Sequence, residues 1–231
     1  MTGALLNLIA AATAFTGSHV ALSHPPIRNR LVAGLGERGF RAVYTLVAIA
    51  SLTWLVMAYN RAPHMEIWVA GDWARWVALG MMPFAAVLLV CGFTAPNPTL
   101  VGTERLGSGP MVGGGIFAIT RHPVLWSVAL WAGAHALVRG DLAAIILFGT
   151  LAGLALIGMA HIDLRRSAAG DTTYRWLDAT TSAVPFQALL TGRAHLTFAA
   201  IGWWRLALAL AVFVGLIALH APVTGLDPLP W

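Results

Sequence analysis

Six stretches of the chain come close to the roughly 20 apolar residues that a helix needs to cross about 30 Å of hydrocarbon. They run Leu5 to Leu22, Phe40 to Tyr59, Trp73 to Phe93, Pro123 to Val138, Leu142 to Ile162 and Trp203 to His220. The expected fold is therefore all-α, a six-span transmembrane helical bundle. No repeat, low-complexity tract or linker divides it, so residues 1–231 read as one membrane domain. Composition agrees, with 10% charged residues against about 25% in a globular domain. The first span lacks a basic leader, and its arginines follow it, so it is expected to stay in the mature protein.

The basic residues report direction. All 14 are arginine. The first, third and fifth loops hold 11 of them, from Arg28 to Arg205, and the opposite side holds three, Arg61, Arg75 and Arg139. By the positive-inside rule the arginine-rich loops are cytoplasmic and both termini periplasmic. Arginines confined to loops point to topology and exclude nucleic acid as a partner, leaving membrane lipid. Trp68, Trp73, Trp76, Trp126, Trp131, Trp203 and Trp204 cluster near span ends, as interfacial anchors do.

Two cytoplasmic segments differ in character. Thr94 to Thr120 holds Pro96, Pro98 and the Gly113-Gly114-Gly115 run, turn-rich backbone able to pack closely. Asp163 to Gly202 interleaves Tyr174, Trp176, Leu177, Val184, Phe186 and Leu189 with arginines, the pattern of one or two short helices in the headgroup plane.

Several motifs are excluded on chemistry. Gly34-Leu35-Gly36-Glu37-Arg38-Gly39 fits the dinucleotide-binding glycine pattern, but a membrane span follows where an amphipathic helix is required. A tight turn presenting Glu37 and Arg38 is expected instead. The single cysteine, Cys91, rules out a disulfide framework or paired-thiol site. There is no H-E-x-x-H, G-x-S-x-G or Walker loop, and no acid lies at depth for a proton relay.

Histidine is the informative residue. An ionisable side chain inside hydrocarbon is costly and marks function by default. His19, near the inner end of span one, and His135, near the outer end of span four, meet that test. Each imidazole is either satisfied by a backbone carbonyl or ligates a metal or heme iron. In Ile119-Thr120-Arg121-His122-Pro123, Pro123 suits the first helical position and His122 the N-cap, so the two residues before the proline either cap the helix or hold a phosphate, carboxylate or heme propionate. His161 is expected in a surface ion cluster with Asp163, Arg165 and Arg166. His24, His64, His195 and His220 read as solvated interface residues.

Gly17-Ser18-His19, Leu35-Gly36-Glu37-Arg38-Gly39-Phe40-Arg41, Asn97-Pro98, Ile119 to Trp126, Ala134-His135, Gly140-Asp141 and Asp163-Leu164-Arg165-Arg166 together resemble the NnrU family of bacterial membrane proteins over nearly the whole chain. That family is associated with denitrification and is similar to the plant and cyanobacterial 15-cis-zeta-carotene isomerase, a heme b membrane enzyme. The resemblance implies a bacterial inner-membrane protein with heme b on His19 and His135, and Arg121 and His122 as propionate or lipid-headgroup contacts. It implies heme-dependent isomerisation of a hydrophobic polyene, or a non-catalytic role as a heme- or nitric-oxide-responsive partner. One departure stands out: the plant enzymes carry a cysteine three residues before the second histidine, where this chain has Ala132. The R-H-P segment also resembles isoprenylcysteine carboxyl methyltransferases, which implies methyl transfer to a lipid as a further alternative. Depth sets a competing expectation, since His19 and His135 fall about 15 Å apart across the core. By depth, His19 is better matched to His122 or His161.

Overall fold

The computed structural model describes residues 2–99, 114–170 and 172–229. Arg105 and Gly113 lie outside the described residues. The elements in chain order are α1 (Thr2–Ser23), α2 (Pro25–Arg61), α3 (Asp72–Thr94), a 3-10 turn (Gly115–Ala118), α4 (Pro123–Arg139), α5 (Leu142–Ala168), α6 (Thr172–Thr180), α7 (Gln187–Leu190), α8 (Phe198–Ile201) and α9 (Trp203–Thr224). The all-α membrane bundle is as expected, with a correction to the span count. Among the described residues five helices, α1, α2, α3, α5 and α9, are long and apolar enough to cross a membrane. The sixth, α4, has 17 residues and is about 25 Å long. Pro123 opens it, and Gly140 closes it with φ 62°.

Helix ends follow local chemistry. Pro25 and Pro26 occupy the first turn of α2, where a missing N–H costs nothing, so the helix starts well before Phe40. Gly36 (φ 71°, ψ 167°) then kinks it, a conformation cheap only for glycine. This is the expected turn. Asp141 caps the start of α5, its Oδ1 accepting the Ala144 N–H at 2.9 Å, and the helix runs past Ile162 to Ala168. Three short helices, not one or two, follow it.

The chain packs as two compact units, Met1–Ala70 with His135–Leu154, and Gly71–Ala134 with Ala155–Trp231. In the first, α1 packs against α2, and the Trp54 indole donates to Asn7. In the second, α3 packs against α9, with Ala86, Val90 and Ala209 buried, and Arg205 donates to the Thr94 carbonyl and hydroxyl. Leu88, Cys91, Ile116, Phe117 and Ile201 form a second core cluster of that unit. Gly115 lies so close to the Ala200 carbonyl that a Cβ would fall 2.7 Å from it, the close packing expected of the glycine run.

Candidate functional site

The second unit holds a buried polar cluster centred on Asp163 of α5. Its other side is the Thr120–Pro123 segment, clamped by residues 182–186. The Arg121 N–H donates to the Ser182 carbonyl, the Thr120 hydroxyl and Trp126 indole both donate to the Ala183 carbonyl, and the Phe186 N–H donates to Ile119. So held, His122 Nε2 meets Asp163 Oδ1 at 2.7 Å with its side chain 0% exposed, and Arg121 Nε donates to Oδ2 at 3.0 Å. Arg121 Nη1 also lies 2.7 Å from Asp178 Oδ1, an ion pair whose angle makes no hydrogen bond. Tyr174 donates its hydroxyl to Asp163 and lies beneath the guanidiniums of Arg121 and Arg166. Burial, then the Asp163 carboxylate, pushes that phenol well above its ordinary range, so it remains a donor. Arg166, itself buried, donates to the Pro98 carbonyl.

Arg121 and His122 therefore hold one carboxylate together, and it is the chain's own Asp163. The surface ion cluster expected around His161 is corrected here: Asp163 turns inward to His122, because a carboxylate beside two cationic or donor groups is better satisfied in that pocket than at the surface. His122 Nδ1 is buried without a hydrogen-bond partner among the described residues. Among the described residues no three His, Cys, Asp or Glu side chains converge as a metal-ion site.

In the first unit, His19 lies near the C-terminal end of α1. Its Nδ1–H donates to the Phe15 carbonyl one turn back at 2.7 Å, which puts the lone pair of a singly protonated ring on Nε2. Phe15 and Tyr44 flank the ring at centroid distances of 4.4 and 5.5 Å. The chain of contacts continues from Tyr44 to Phe40 at 6.1 Å, and Arg28 covers Phe40 at 5.2 Å. Arg28 and Arg41 share Glu37 at 2.8 and 3.3 Å. An apolar groove of about 640 Å³ opens between α1 and α5, lined by Thr13, Thr16, Gly17, Ile146, Gly149 and Thr150 among others.

His135 belongs to the same unit but to other neighbours. Its ring packs on Phe148 of α5 at 5.1 Å, and Phe148 touches Tyr59 of α2 at 6.4 Å. Tyr59 in turn meets His64 at 5.6 Å. Tyr44 and Tyr59 are fifteen residues apart on the straight part of α2, about 22 Å along the helix axis. His19 thus meets α2 at its middle, on Tyr44, and His135 reaches its C-terminal part, on Tyr59, through Phe148. His64, expected to be solvated, pairs with Asp141 at 3.1 Å, which also takes Arg139 at 3.3 Å. Burial alone would raise the Asp141 carboxyl, but the Ala144 N–H, His64 and Arg139 together hold it below its ordinary value.

The sequence reading gave Tyr59 only as a span end and Tyr174 only as part of an interfacial pattern, and passed over Tyr44, yet these are the chain's three tyrosines and each contacts a histidine or the Asp163 cluster. Their scarcity in a chain with 10 tryptophans and nine phenylalanines was the available signal. No curated protein and no solved structure matches this chain. The family model described as NnrU protein matches residues 7–228. With nearly its whole length matched, and five helices able to cross a membrane, the chain belongs to the NnrU family.

Proposed function

We propose that this NnrU-family membrane protein binds heme b, and that His19 and His135 are the residues that would hold its iron. The observation that carries the reading is the bond from His19 Nδ1–H to the Phe15 carbonyl. An imidazole so fixed presents Nε2 as a ligand in one tautomer and one orientation, the arrangement common to metal-bound histidines. Phe15 and Tyr44 supply an aromatic surround that suits a flat, apolar macrocycle. His135 belongs to the same compact unit and packs on Phe148, which supports it as the second residue that would hold the iron.

When bound, a ferrous heme supplies an iron centre able to exchange electrons with a conjugated double bond. The chain's own part is to hold and shield. The apolar groove beside Thr16 and Gly17 suits a long hydrophobic ligand, and a polyene undergoing cis–trans isomerisation is the substrate class proposed for it. Arg121 and His122 hold Asp163 and Asp178, which favours a structural role for the R-H-P segment over an external methyl-donor cofactor there.

The test is the absorption spectrum of the protein purified in mild detergent after expression with ample heme. A low-spin heme spectrum is expected, with His19→Ala abolishing it and His135→Ala converting it to high spin. A colourless protein, or a spectrum unchanged by His19→Ala, overturns the reading.

A further inference from the structure

We infer that Arg28 and Arg41 are the binding residues for the carboxylates at the edge of the cofactor that His19 ligates, a role the sequence assigned to Arg121 and His122. The inference rests on the heme reading above and deepens it. Heme b carries two propionates on one edge of an apolar ring, so a fitting site pairs an axial ligand with cations on one side of an aromatic wall. The first unit is arranged this way. From His19 the aromatic side chains run to Tyr44 and then Phe40, and the Arg28 guanidinium covers the far ring. Arg41 and Tyr44 are one turn apart on α2, about 4.5 Å along the axis, so the residue that touches His19 shares a helix face with a cation.

Charge points the same way. Between His24 and Tyr44 the chain has four arginines, Arg28, Arg30, Arg38 and Arg41, and one acid, Glu37. The other two acids of this unit, Glu66 and Asp141, face each other across the bridge at the opposite turn. Glu37 offsets one of those charges, and its carboxylate takes both Arg28 and Arg41, the two-point grip that a propionate would take in its place. Those side chains remain 22% and 39% exposed. The kink at Gly36 turns the arginine-bearing start of α2 relative to the part carrying Tyr44, which puts Arg28, nine residues before Glu37, in reach of it. Guanidinium forks pair with carboxylates in two-point contact, so the site recognises the propionate edge and leaves the iron to histidine.

The experiment titrates the full-length protein in detergent with heme b and with heme b dimethyl ester, which keeps the ring and iron but masks both carboxylates, following the absorption change. The unsubstituted protein is expected to bind heme b at least about tenfold more tightly than the ester. Arg28→Gln combined with Arg41→Gln should erase that preference while leaving affinity for the ester unchanged. Glu37→Gln, which removes the internal competitor, should preserve or raise it. Equal binding of both forms by the unsubstituted protein overturns the arginine assignment alone, a result that needs no variant to fold. So does equal loss of both forms in the double variant. Binding of neither form overturns the heme reading and this inference with it.

Discussion

Replacing Asp163 with alanine tests whether the second unit is held by its buried polar cluster. Asp163 is the shared acceptor of a fully buried imidazole and of a guanidinium exposed by only 11%, and it receives the Tyr174 hydroxyl as well. Removing one member of such a cluster leaves the others desolvated and unpaired, a loss of about 3–5 kcal/mol where burial is complete. Asp163 retains 18% exposure and Asp178 still faces Arg121, so the lower end, about 3 kcal/mol, applies. For a chain of this length that is about 6–12 °C in melting temperature. The single cysteine gives the assay, because Cys91 lies in the core of the same unit with 1% exposure. A thiol-reactive fluorophore then reports its release on heating. Asp163→Asn keeps an oxygen for His122 and loses the charge, and should cost about half as much. The His122→Ala and Asp163→Ala pair should be less than additive, since each removes the other's partner. A melting temperature for Asp163→Ala within about 2 °C of the unsubstituted protein would refute the reasoning.

Acid should loosen the turn between α4 and α5: Asp141 has a depressed pKa when folded, so its stabilisation is present above the unfolded value near 4 and lost as pH falls through the folded one. Hydrogen exchange at residues 63–69 should accelerate below about pH 4, and Asp141→Asn should flatten that dependence. Gly140→Ala should detach the same loop, because its φ is 62° and a Cβ would fall 2.1 Å from the Trp68 carbonyl oxygen. A cost of at least about 1 kcal/mol is expected, read as lost protection of the Ile67 and Trp68 amides that bond to Gly140. Reporter fusions at the C-terminus should show periplasmic phosphatase activity and no cytoplasmic fluorescence if α4 crosses despite its 17 residues, and the reverse if it does not.

The sequence by itself determined what is local. Apolar run length placed the five long helices to within a few residues at most ends, because the solvent a span must satisfy is the same wherever the helix packs. Pro123 at the start of α4 and the turn at Gly36 were legible because they depend on one residue's own backbone freedom. The family too was legible, since its motifs are spread along the chain. The extent of α2 and α5 was less so, as polar residues continue a helix beyond the hydrocarbon without any change in helical propensity. Tertiary structure alone decided which polar groups meet. Asp163 stands two residues from His161 in sequence and pairs with His122, 41 residues away; Tyr44 meets His19 across two helices; residues 182–186 clamp a segment some 60 residues earlier. Such pairings depend on which helix faces are neighbours, and hydropathy cannot register that, because a face toward lipid and a face toward another helix are both apolar.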